Sequence, residues 1–302
     1  MNLVYYSLSS SANRSYDRQW IESIRSLRRF NLELPVCLLV YDGVSEEVLR
    51  EAACHDVMVA HLGSYRDRLC RTSKHGAVLS LYPTLHKFLS LSELDTLQCS
   101  QILYVDCDTF FFADPAHLFS TYREHHWYAR EAPTSRRCPH GYNPVNIDEG
   151  VLEQIATQEG LRPILPFNSG VCLLNHGVWR DFGDLGARFL DNMWRLLVGR
   201  HQRASDGSDQ AIRRAVLASA TDSDRVRALP YPSRNFWIAE EIALWLTLAG
   251  IPGLSQGFLS SEHILQGEEF EHAQLGAGRP VLAHYFSSLQ DRFFSSAAYA
   301  EA

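Results

Sequence analysis

The sequence has few of the features that mark membrane, secreted or disulfide-rich proteins. No run approaches the roughly 18 to 20 consecutive apolar residues that span a membrane, and the N-terminus lacks the basic and long apolar regions of a signal peptide. There are only seven cysteines, and no two of them form a CxxC pair, so neither a disulfide framework nor a zinc site is indicated. We therefore expect reduced thiols and a cytoplasmic location.

Cationic residues are also too few for an extended basic surface. The chain has 28 lysines and arginines against 35 aspartates and glutamates, a net charge of −7 at pH 7. We accordingly expect no nucleic-acid and no anionic-lipid partner. With 302 residues, 46 % of them hydrophobic, and no repeat or low-complexity linker, we predict an α/β core over residues 1–225 and a C-terminal extension of the same unit over 226–302.

Runs of apolar, β-favouring residues alternate with helical patterns in the first part of the chain. Strands are predicted at residues 3–7, 36–41 and 56–61, and helices at 16–30 and 45–54. This order is typical of an α/β protein with a mainly parallel, doubly wound sheet.

The patterns that follow are less regular. Residues 63–76, with five basic residues if His75 is counted, are predicted as a loop that is either solvated or faces a phosphate. A helix is predicted over 77–91, and Asp114 before Pro115 is predicted to cap another. Later strands are predicted at 127–129, 167–175 and 281–286, with a polar loop at 133–144.

One stretch joins a buried strand to two closely spaced carboxylates. Residues 102–105 are apolar, and Asp106 and Asp108 follow directly. Alternate side chains of an extended segment point to the same side, and ligands bind at the carboxyl ends of strands in open α/β sheets. Two such charges repel unless a cation or a shared proton neutralises them. The pair therefore indicates a metal or catalytic site, whereas Cys107 between them is predicted to pack on the other face.

Other polar residues lie next to predicted strands and helices. Gly170 permits close backbone approach, while Asn168 and Ser169 offer neutral hydrogen bonds at the start of a strand. Asp206 or Ser208 is predicted to cap a helix through residue 217. His284 ends the last strand, a position where a histidine is more often a satisfied polar residue than a ligand.

In this order, Asp106-Cys107-Asp108, Asn168-Ser169-Gly170, Asp209-Gln210 and His284 resemble the motifs of A-type glycosyltransferases, most closely the family 8 group. The resemblance implies a Rossmann-like fold with a DxD motif. It also implies metal-dependent, retaining transfer of a hexosyl unit from a nucleotide sugar, in particular a UDP-sugar, to a glycan or small-molecule acceptor. Residues 1–225 would bind the donor, and residues 226–302 would complete the metal and acceptor site.

The resemblance also implies roles for particular residues. Asp106, Asp108 and His284 would hold Mn²⁺ or Mg²⁺, and Asp209 and Gln210 would line the face of the sugar that reacts. An oxygen-rich ligand set with one imidazole suits these ions, which would neutralise charge on the departing diphosphate. The residues expected to bind the donor are Tyr6, Ser7, Lys87, Asp106, Asn168, Ser169, Gly170 and Arg292.

The sequence departs from the family after His284. The family has a glycine there and then a Lys-Pro-Trp segment that holds the diphosphate, whereas here Tyr285-Phe286-Ser287-Ser288 follow. We therefore predict that cationic contact to the diphosphate comes from another source, namely Arg292, Lys87 or the segment containing Arg66, Arg68 and Lys74.

Two other functions remain open from the sequence. Residues 103–109 also resemble the strand-DxDxT signature of haloacid-dehalogenase-type phosphatases, although Thr109 follows the second aspartate directly; in that reading Asp106 would be the nucleophile and Asp108 a general acid. That signature normally lies near the start of its domain, and here a β-α-β-α-β pattern precedes it. The other alternative is a non-catalytic nucleotide-sugar or glycan binder. Trp237 and Trp245, near Glu240 and Glu241, fit sugar stacking and core packing equally well.

Overall fold

A computed structural model describes residues 1–9, 15–89, 98–132, 147–175, 185–203, 210–233, 235, 238–271, 280–285, 289–296 and 299. The strands in these residues are β1 (Asn2–Ser9), β2 (Val36–Tyr41), β3 (Met58–His61), β4 (Gln101–Val105), β5 (Thr109–Phe111), β6 (Trp127–Glu131), β7 (Phe167–Asn175), β8 (Gln256–Phe258), β9 (Ile264–Gln266) and β10 (Leu282–His284).

The helices in the same residues are α1 (Ser15–Phe30), α2 (Glu46–Cys54), α3 (Tyr65–Thr72), α4 (Gly76–Leu79), α5 (His86–Leu89), α6 (Ala116–Thr121), α7 (Glu149–Glu159), α8 (Leu185–Arg203), α9 (Gln210–Ser219), α10 (Asp222–Val226), α11 (Ala239–Ala249) and α12 (Gln290–Phe294). Short 3-10 helices occupy Pro83–Leu85 and Gly267–Glu271. None of these helices has the length and apolar character needed to cross a membrane.

A seven-stranded sheet in the order β3-β2-β1-β4-β7-β6-β8 forms the centre of the protein. Strands β3, β2, β1 and β4 are parallel to one another, β7 is antiparallel to both β4 and β6, and β8 is parallel to β6. The predicted mainly parallel sheet is thus confirmed, with residues 102–105 in an interior strand. Their uninterrupted apolar character follows from this position, because layers of side chains cover both faces of a central strand.

Alternate residues of β1 pack into two different layers. Tyr6 and its neighbours Val4 and Leu8 face α1, where Trp20 and Ile24 are fully buried at helical spacing. Tyr5 faces the opposite layer, which includes residues of α4, α8 and α11. A shift of one residue along β1 therefore moves a side chain from one face of the sheet to the other.

A second sheet of three strands, in the order β5-β10-β9, adjoins the end of β4. Strand β10 is antiparallel to β5 in a register that pairs His284 with Thr109. The Tyr285 N–H also donates to the carbonyl oxygen of Asp108 over 3.1 Å. This pairing brings His284 to the loop that carries Asp106 and Asp108. The segment after residue 225 contributes to both sheets, through β8 in one and β9 and β10 in the other.

Two local predictions were wrong. Residues 65–72 form α3, capped by Ser64, whereas a loop was predicted. Only Tyr65 and Leu69 are buried in this polar helix, so the sequence has little apolar periodicity there. The single helix predicted over 77–91 is interrupted, because Pro83 has no N–H for an α-helical hydrogen bond and starts a 3-10 turn instead.

The cap predicted for Asp114 is displaced by one residue. Its Oδ1 accepts a hydrogen bond from the Ala116 N–H over 2.9 Å, but the N-cap position of α6 is Pro115. The predictions for the loop at 133–144 and for Asp206, Ser208 and Trp237 lie outside the described residues.

Candidate active site

Asp106, Asp108 and His284 converge at the carboxyl end of β4. The Nε2 atom of His284 lies 3.2 Å from Oδ1 of Asp108 and 3.7 Å from Oδ2 of Asp106. One ligand atom from each residue lies within 4.8 Å of the other two. The imidazole is buried and the carboxylates are partly exposed, so the group opens toward solvent on its carboxylate side. Two carboxylates and one imidazole form a donor set that fits Mn²⁺ or Mg²⁺.

Lys87 lies beside this group and is itself buried. Its Nζ is 2.9 Å from Oγ of Ser169 and 3.4 Å from Oδ2 of Asp106. Burial alone would lower the pKa of Lys87, but the carboxylates of Asp106, Glu240 and Glu241 outweigh that effect and raise it above its usual value. Lys87 therefore remains protonated at neutral pH and supplies a fixed positive charge.

The backbone and aromatic side chains hold Asp106 and Lys87 in place. The Tyr104 hydroxyl donates to Oδ1 of Asp106, and the Asp106 N–H donates to the Gly170 carbonyl over 2.7 Å. On the neighbouring strand, the Tyr5 hydroxyl donates to the Lys87 carbonyl over 2.7 Å. Both ends of the Lys87–Asp106 contact are thus tied to the central sheet.

Glu240 and Glu241, which were not among the predicted site residues, complete the cluster from the first turn of α11. Oε1 of Glu241 accepts hydrogen bonds from Nδ2 of Asn168 (3.0 Å) and from N and Oγ of Ser169 (3.0 and 3.1 Å). Burial raises the pKa of Glu240 to about 7, although Lys87 opposes the shift. Among the described residues, Oε2 of Glu240 has no hydrogen-bond partner.

A signal for these two residues was present in the sequence. All eleven residues of α11 are buried, and Glu240 and Glu241 are charged members of an otherwise mostly apolar helix. Acidic residues in a first turn are favoured by the helix dipole, but full burial of two of them is costly without compensation. In the sequence, the signal is two adjacent glutamates at the start of an otherwise mostly apolar helical segment, a pattern that indicates a buried polar site.

The cluster as a whole carries an excess of negative charge. Asp106, Asp108 and Glu241 are carboxylates, and Glu240 adds a further negative charge when it is ionised, whereas Lys87 contributes one positive charge. Burial alone would lower the pKa of His284, but Asp108 and then Asp106 outweigh it, so the pKa is raised. A proton on His284 offsets part of the excess, and a divalent cation would offset more of it.

The predicted donor-binding residues on β1 lie on opposite faces of the sheet. Ser7 faces the site side, where its Oγ is 2.7 Å from Nδ1 of His86. Burial lowers the pKa of His86 to about 3, so its ring is neutral. Tyr6 is fully buried on the other face, with its hydroxyl 2.9 Å from Oγ of Ser23. The structure therefore does not bring the Tyr6 side chain to the cluster.

Several other predicted residues lie on or beside helices α3, α9 and α12. Gln210 is the exposed first residue of α9, a helix that packs against α4 and α8, and Asp209 lies outside the described residues. Arg292 is about half exposed and pairs with Oε1 of Glu268 over 2.7 Å. Arg66 is exposed on α3, Arg68 lies 3.5 Å from the Leu89 carbonyl, and Lys74 lies 3.8 Å from Asp224. Of the proposed cations, Lys87 is the residue that the structure places against Asp106. Cys107 is buried in the core layer, as expected.

Gly170 leaves the space that the His284 ring occupies. A Cβ atom at position 170 would lie 2.0 Å from Cε1 and 2.4 Å from Nδ1 of His284, far inside van der Waals contact. We expect Gly170→Ala to displace the ring and to weaken Mn²⁺ binding, which a Mn²⁺ titration followed by electron paramagnetic resonance would measure. Gly186→Ala is the matched control, because its Cβ would meet only Leu89 at 3.8 Å. Equal Mn²⁺ affinity in the two variants would contradict this expectation.

No protein-family model and no curated protein matches the sequence. The fold, however, is similar to that of solved glycosyltransferases. The apo form of mouse xyloside xylosyltransferase 1 aligns with a TM-score of 0.50 and 13 % identity over 95 % of this chain and 99 % of that one. The galactosyltransferase LgtC, in complex with donor and acceptor sugar analogs, gives a TM-score of 0.49 and 16 % identity over 94 % and 87 %.

The glycosyltransferase GlyE of Streptococcus pneumoniae TIGR4 gives a TM-score of 0.47 and 17 % identity, over 95 % of this chain and 55 % of that chain. At such identities the comparisons show a similarity of fold alone. Of the three structures, the xylosyltransferase, with a TM-score of 0.50, is the one used as support for the fold. Together with the sheet order, it confirms the predicted A-type glycosyltransferase fold.

Proposed function

We propose that the protein is a metal-dependent glycosyltransferase of the family 8 type. It would transfer a hexosyl unit from a nucleoside-diphosphate sugar, in particular a UDP-sugar, to a glycan or small-molecule acceptor with retention of configuration. The observation that carries the proposal is the convergence of Asp106, Asp108 and His284 at the carboxyl end of an interior strand in this fold. That edge of an open α/β sheet is where ligands bind.

In this proposal Asp106, Asp108 and His284 hold Mn²⁺ or Mg²⁺. The ion would supply positive charge to the diphosphate as the bond to the sugar breaks. Lys87 adds a second positive charge, and the hydrogen bond to Ser169 keeps its ammonium group next to Asp106. Because carboxylates otherwise dominate the cluster, a diphosphate would be repelled without the metal. Donor binding should therefore depend on the metal.

The structure favours this function over a phosphatase. Asp106 would have to attack phosphorus in the phosphatase mechanism, yet its Oδ1 accepts the Tyr104 hydroxyl and its Oδ2 lies against Lys87 and His284. The fold is also that of A-type glycosyltransferases rather than one in which the DxD strand opens the domain. A non-catalytic sugar-binding protein would have the same site. Only a measurement of turnover distinguishes it from an enzyme.

Release of nucleoside diphosphate from a panel of UDP-sugars, with and without Mn²⁺, tests the proposal. We expect Mn²⁺-dependent release that increases when a suitable acceptor is added, and no phosphate release from phosphomonoesters. Phosphate release without nucleoside diphosphate would instead support the phosphatase. Saturable binding of a UDP-sugar and Mn²⁺ with no release, across a broad acceptor panel, would identify a binding protein.

A further inference from the structure

The orientation of the Asn168 amide is fixed by two neighbours of known hydrogen-bonding character. Its Oδ1 lies 3.0 Å from the Gly170 backbone nitrogen, which can only donate. Its Nδ2 lies 3.0 Å from Oε1 of Glu241, which accepts as a carboxylate. A flipped amide would set donor against donor at Gly170 and acceptor against acceptor at Glu241. Oδ1 of Asn168 is therefore an acceptor held in one place.

This acceptor determines which nitrogen of His284 carries the proton when the ring is neutral, the form that binds a metal. Nδ1 of His284 lies 3.0 Å from the same Oδ1, so Nδ1 must donate. Nε2 is left to face Asp108 at 3.2 Å and Asp106 at 3.7 Å. A histidine whose other ring nitrogen donates to a fixed oxygen is oriented for metal ligation, because its tautomer and ring angle are already set.

We propose that Asn168, anchored by Glu241, is a positioning residue that holds His284 with Nε2 directed at the metal ion. The inference rests on the metal site of the proposed function. It gives Asn168 a role different from the donor binding expected from the family resemblance, because its amide oxygen is engaged by His284 and Gly170 and its amide nitrogen by Glu241.

Glu241 is suited to the anchoring role because three donors meet on its Oε1. Besides Nδ2 of Asn168, these are the backbone N–H and the hydroxyl of Ser169, at 3.0 and 3.1 Å. Ser169 in turn accepts from Lys87 over 2.9 Å. The first turn of α11 is thereby connected through two adjacent residues of β7 to His284 and to Lys87.

Two variants of Asn168 separate the positioning role from simple packing. Asn168→Leu is similar in size but offers no acceptor to His284. Asn168→Asp keeps an oxygen acceptor and should rescue the orientation of the ring in part, although it sets a carboxylate against Glu241. Asn175→Leu is the matched control, because Asn175 also lies on β7, where it is buried, and bonds to Tyr122, His125 and Gln101 at the other end of that strand.

The test measures Mn²⁺ affinity by electron paramagnetic resonance without any donor, and the His284 Nδ1–H proton by ¹⁵N NMR in the Mg²⁺-loaded protein. In the parent we expect a slowly exchanging Nδ1–H proton. In Asn168→Leu we expect this proton to exchange rapidly and the Kd for Mn²⁺ to rise roughly 10- to 100-fold. Asn168→Asp should give a proton exchange rate and a Kd between those of the parent and of Asn168→Leu. Glu241→Leu should change both readouts in the same direction as Asn168→Leu does. Asn175→Leu should match the parent in both readouts.

The outcomes separate this inference from the proposed function. If Asn168→Leu keeps the protected proton and binds Mn²⁺ as Asn175→Leu does, the positioning role is overturned while the proposed function stands. If the parent binds Mn²⁺ and responds as expected but releases no nucleoside diphosphate, the proposed function fails and the positioning role stands. If the parent binds no Mn²⁺, both are overturned.

Discussion

Replacing Asp108 with Asn is expected to lower Mn²⁺-dependent donor turnover on the order of 10²- to 10³-fold. The substitution keeps the shape of the side chain but removes one of the carboxylates that face His284. Metal stabilisation of developing charge is worth several kcal/mol, and each 1.36 kcal/mol corresponds to about a tenfold change in rate. Removal of the charge relieves repulsion among the carboxylates but also weakens the contact with His284, so we expect the loss of folding stability to be far smaller than the loss of turnover.

The measurement is nucleoside diphosphate release across a Mn²⁺ titration for the parent and the variant, together with urea unfolding of both. Asp191→Asn is the matched control, since Asp191 is an exposed carboxylate paired with Arg227 on the surface. It should leave turnover unchanged. Metal-independent turnover by Asp108→Asn at the parent rate would remove Asp108 from the metal site.

Replacing Lys87 with Met is expected to destabilise the fold by about 3–5 kcal/mol, the usual cost of removing one partner of a buried ion pair. The loss would leave Asp106, Glu240 and Glu241 without the positive charge that now compensates them. Lys74→Met is the matched control. Lys74 is largely exposed and lies 3.8 Å from Asp224, so its loss should cost at most about 1 kcal/mol. Equal losses in urea unfolding would contradict the compensating role of Lys87.

The deficit of Lys87→Met should also depend on pH, and its sign follows from Glu240. Burial raises the pKa of Glu240 to about 7, so the folded state takes up a proton more readily than the unfolded chain. The free-energy cost of burying the ionised Glu240 side chain is fully present above about pH 7. It decreases as the pH falls toward the pKa that Glu240 has in the unfolded chain. Lys87 opposes this rise in the pKa of Glu240. In Lys87→Met the pKa of Glu240 should therefore be higher still, and the cost of burying its charge should be larger at high pH. The stability gap between parent and variant should thus be larger at pH 8 than at pH 6, and a gap that widens toward pH 6 would contradict the assignment.

The centre of the fold could be predicted from sequence because its signals are local. Residues 102–105 are an apolar run followed by two carboxylates, and both the interior strand and the convergence of Asp106 and Asp108 follow from that pattern. The position of His284 needed a non-local fact, the register that sets β10 against β5. It was reached through the order of motifs, which resembles that of the family.

The positions of the remaining site residues depend on contacts between distant parts of the chain. Tyr6 and Ser7 are neighbours on β1, and only the orientation of the strand determines which one faces His86 and which one faces α1. Glu241 lies 72 residues from Ser169 in sequence, and no local pattern states that the first turn of α11 packs against β7. Motif order pointed to Asp209 and Gln210, and their role stays a prediction, because Gln210 is exposed at the start of α9 and Asp209 lies outside the described residues.

The pairing of β5 with β10 has a consequence for how the chain is held together. Asp108 and His284 come from opposite halves of the sequence, so an ion bound by both would act as a cross-link that closes a very long loop. The loop-closure entropy removed from the unfolded chain grows with the logarithm of loop length, and an ion that binds only the assembled site adds its binding free energy to that of folding. If the proposed metal site is correct, chelation should therefore loosen the attachment of β10 and its neighbours to the loop that carries Asp106 and Asp108.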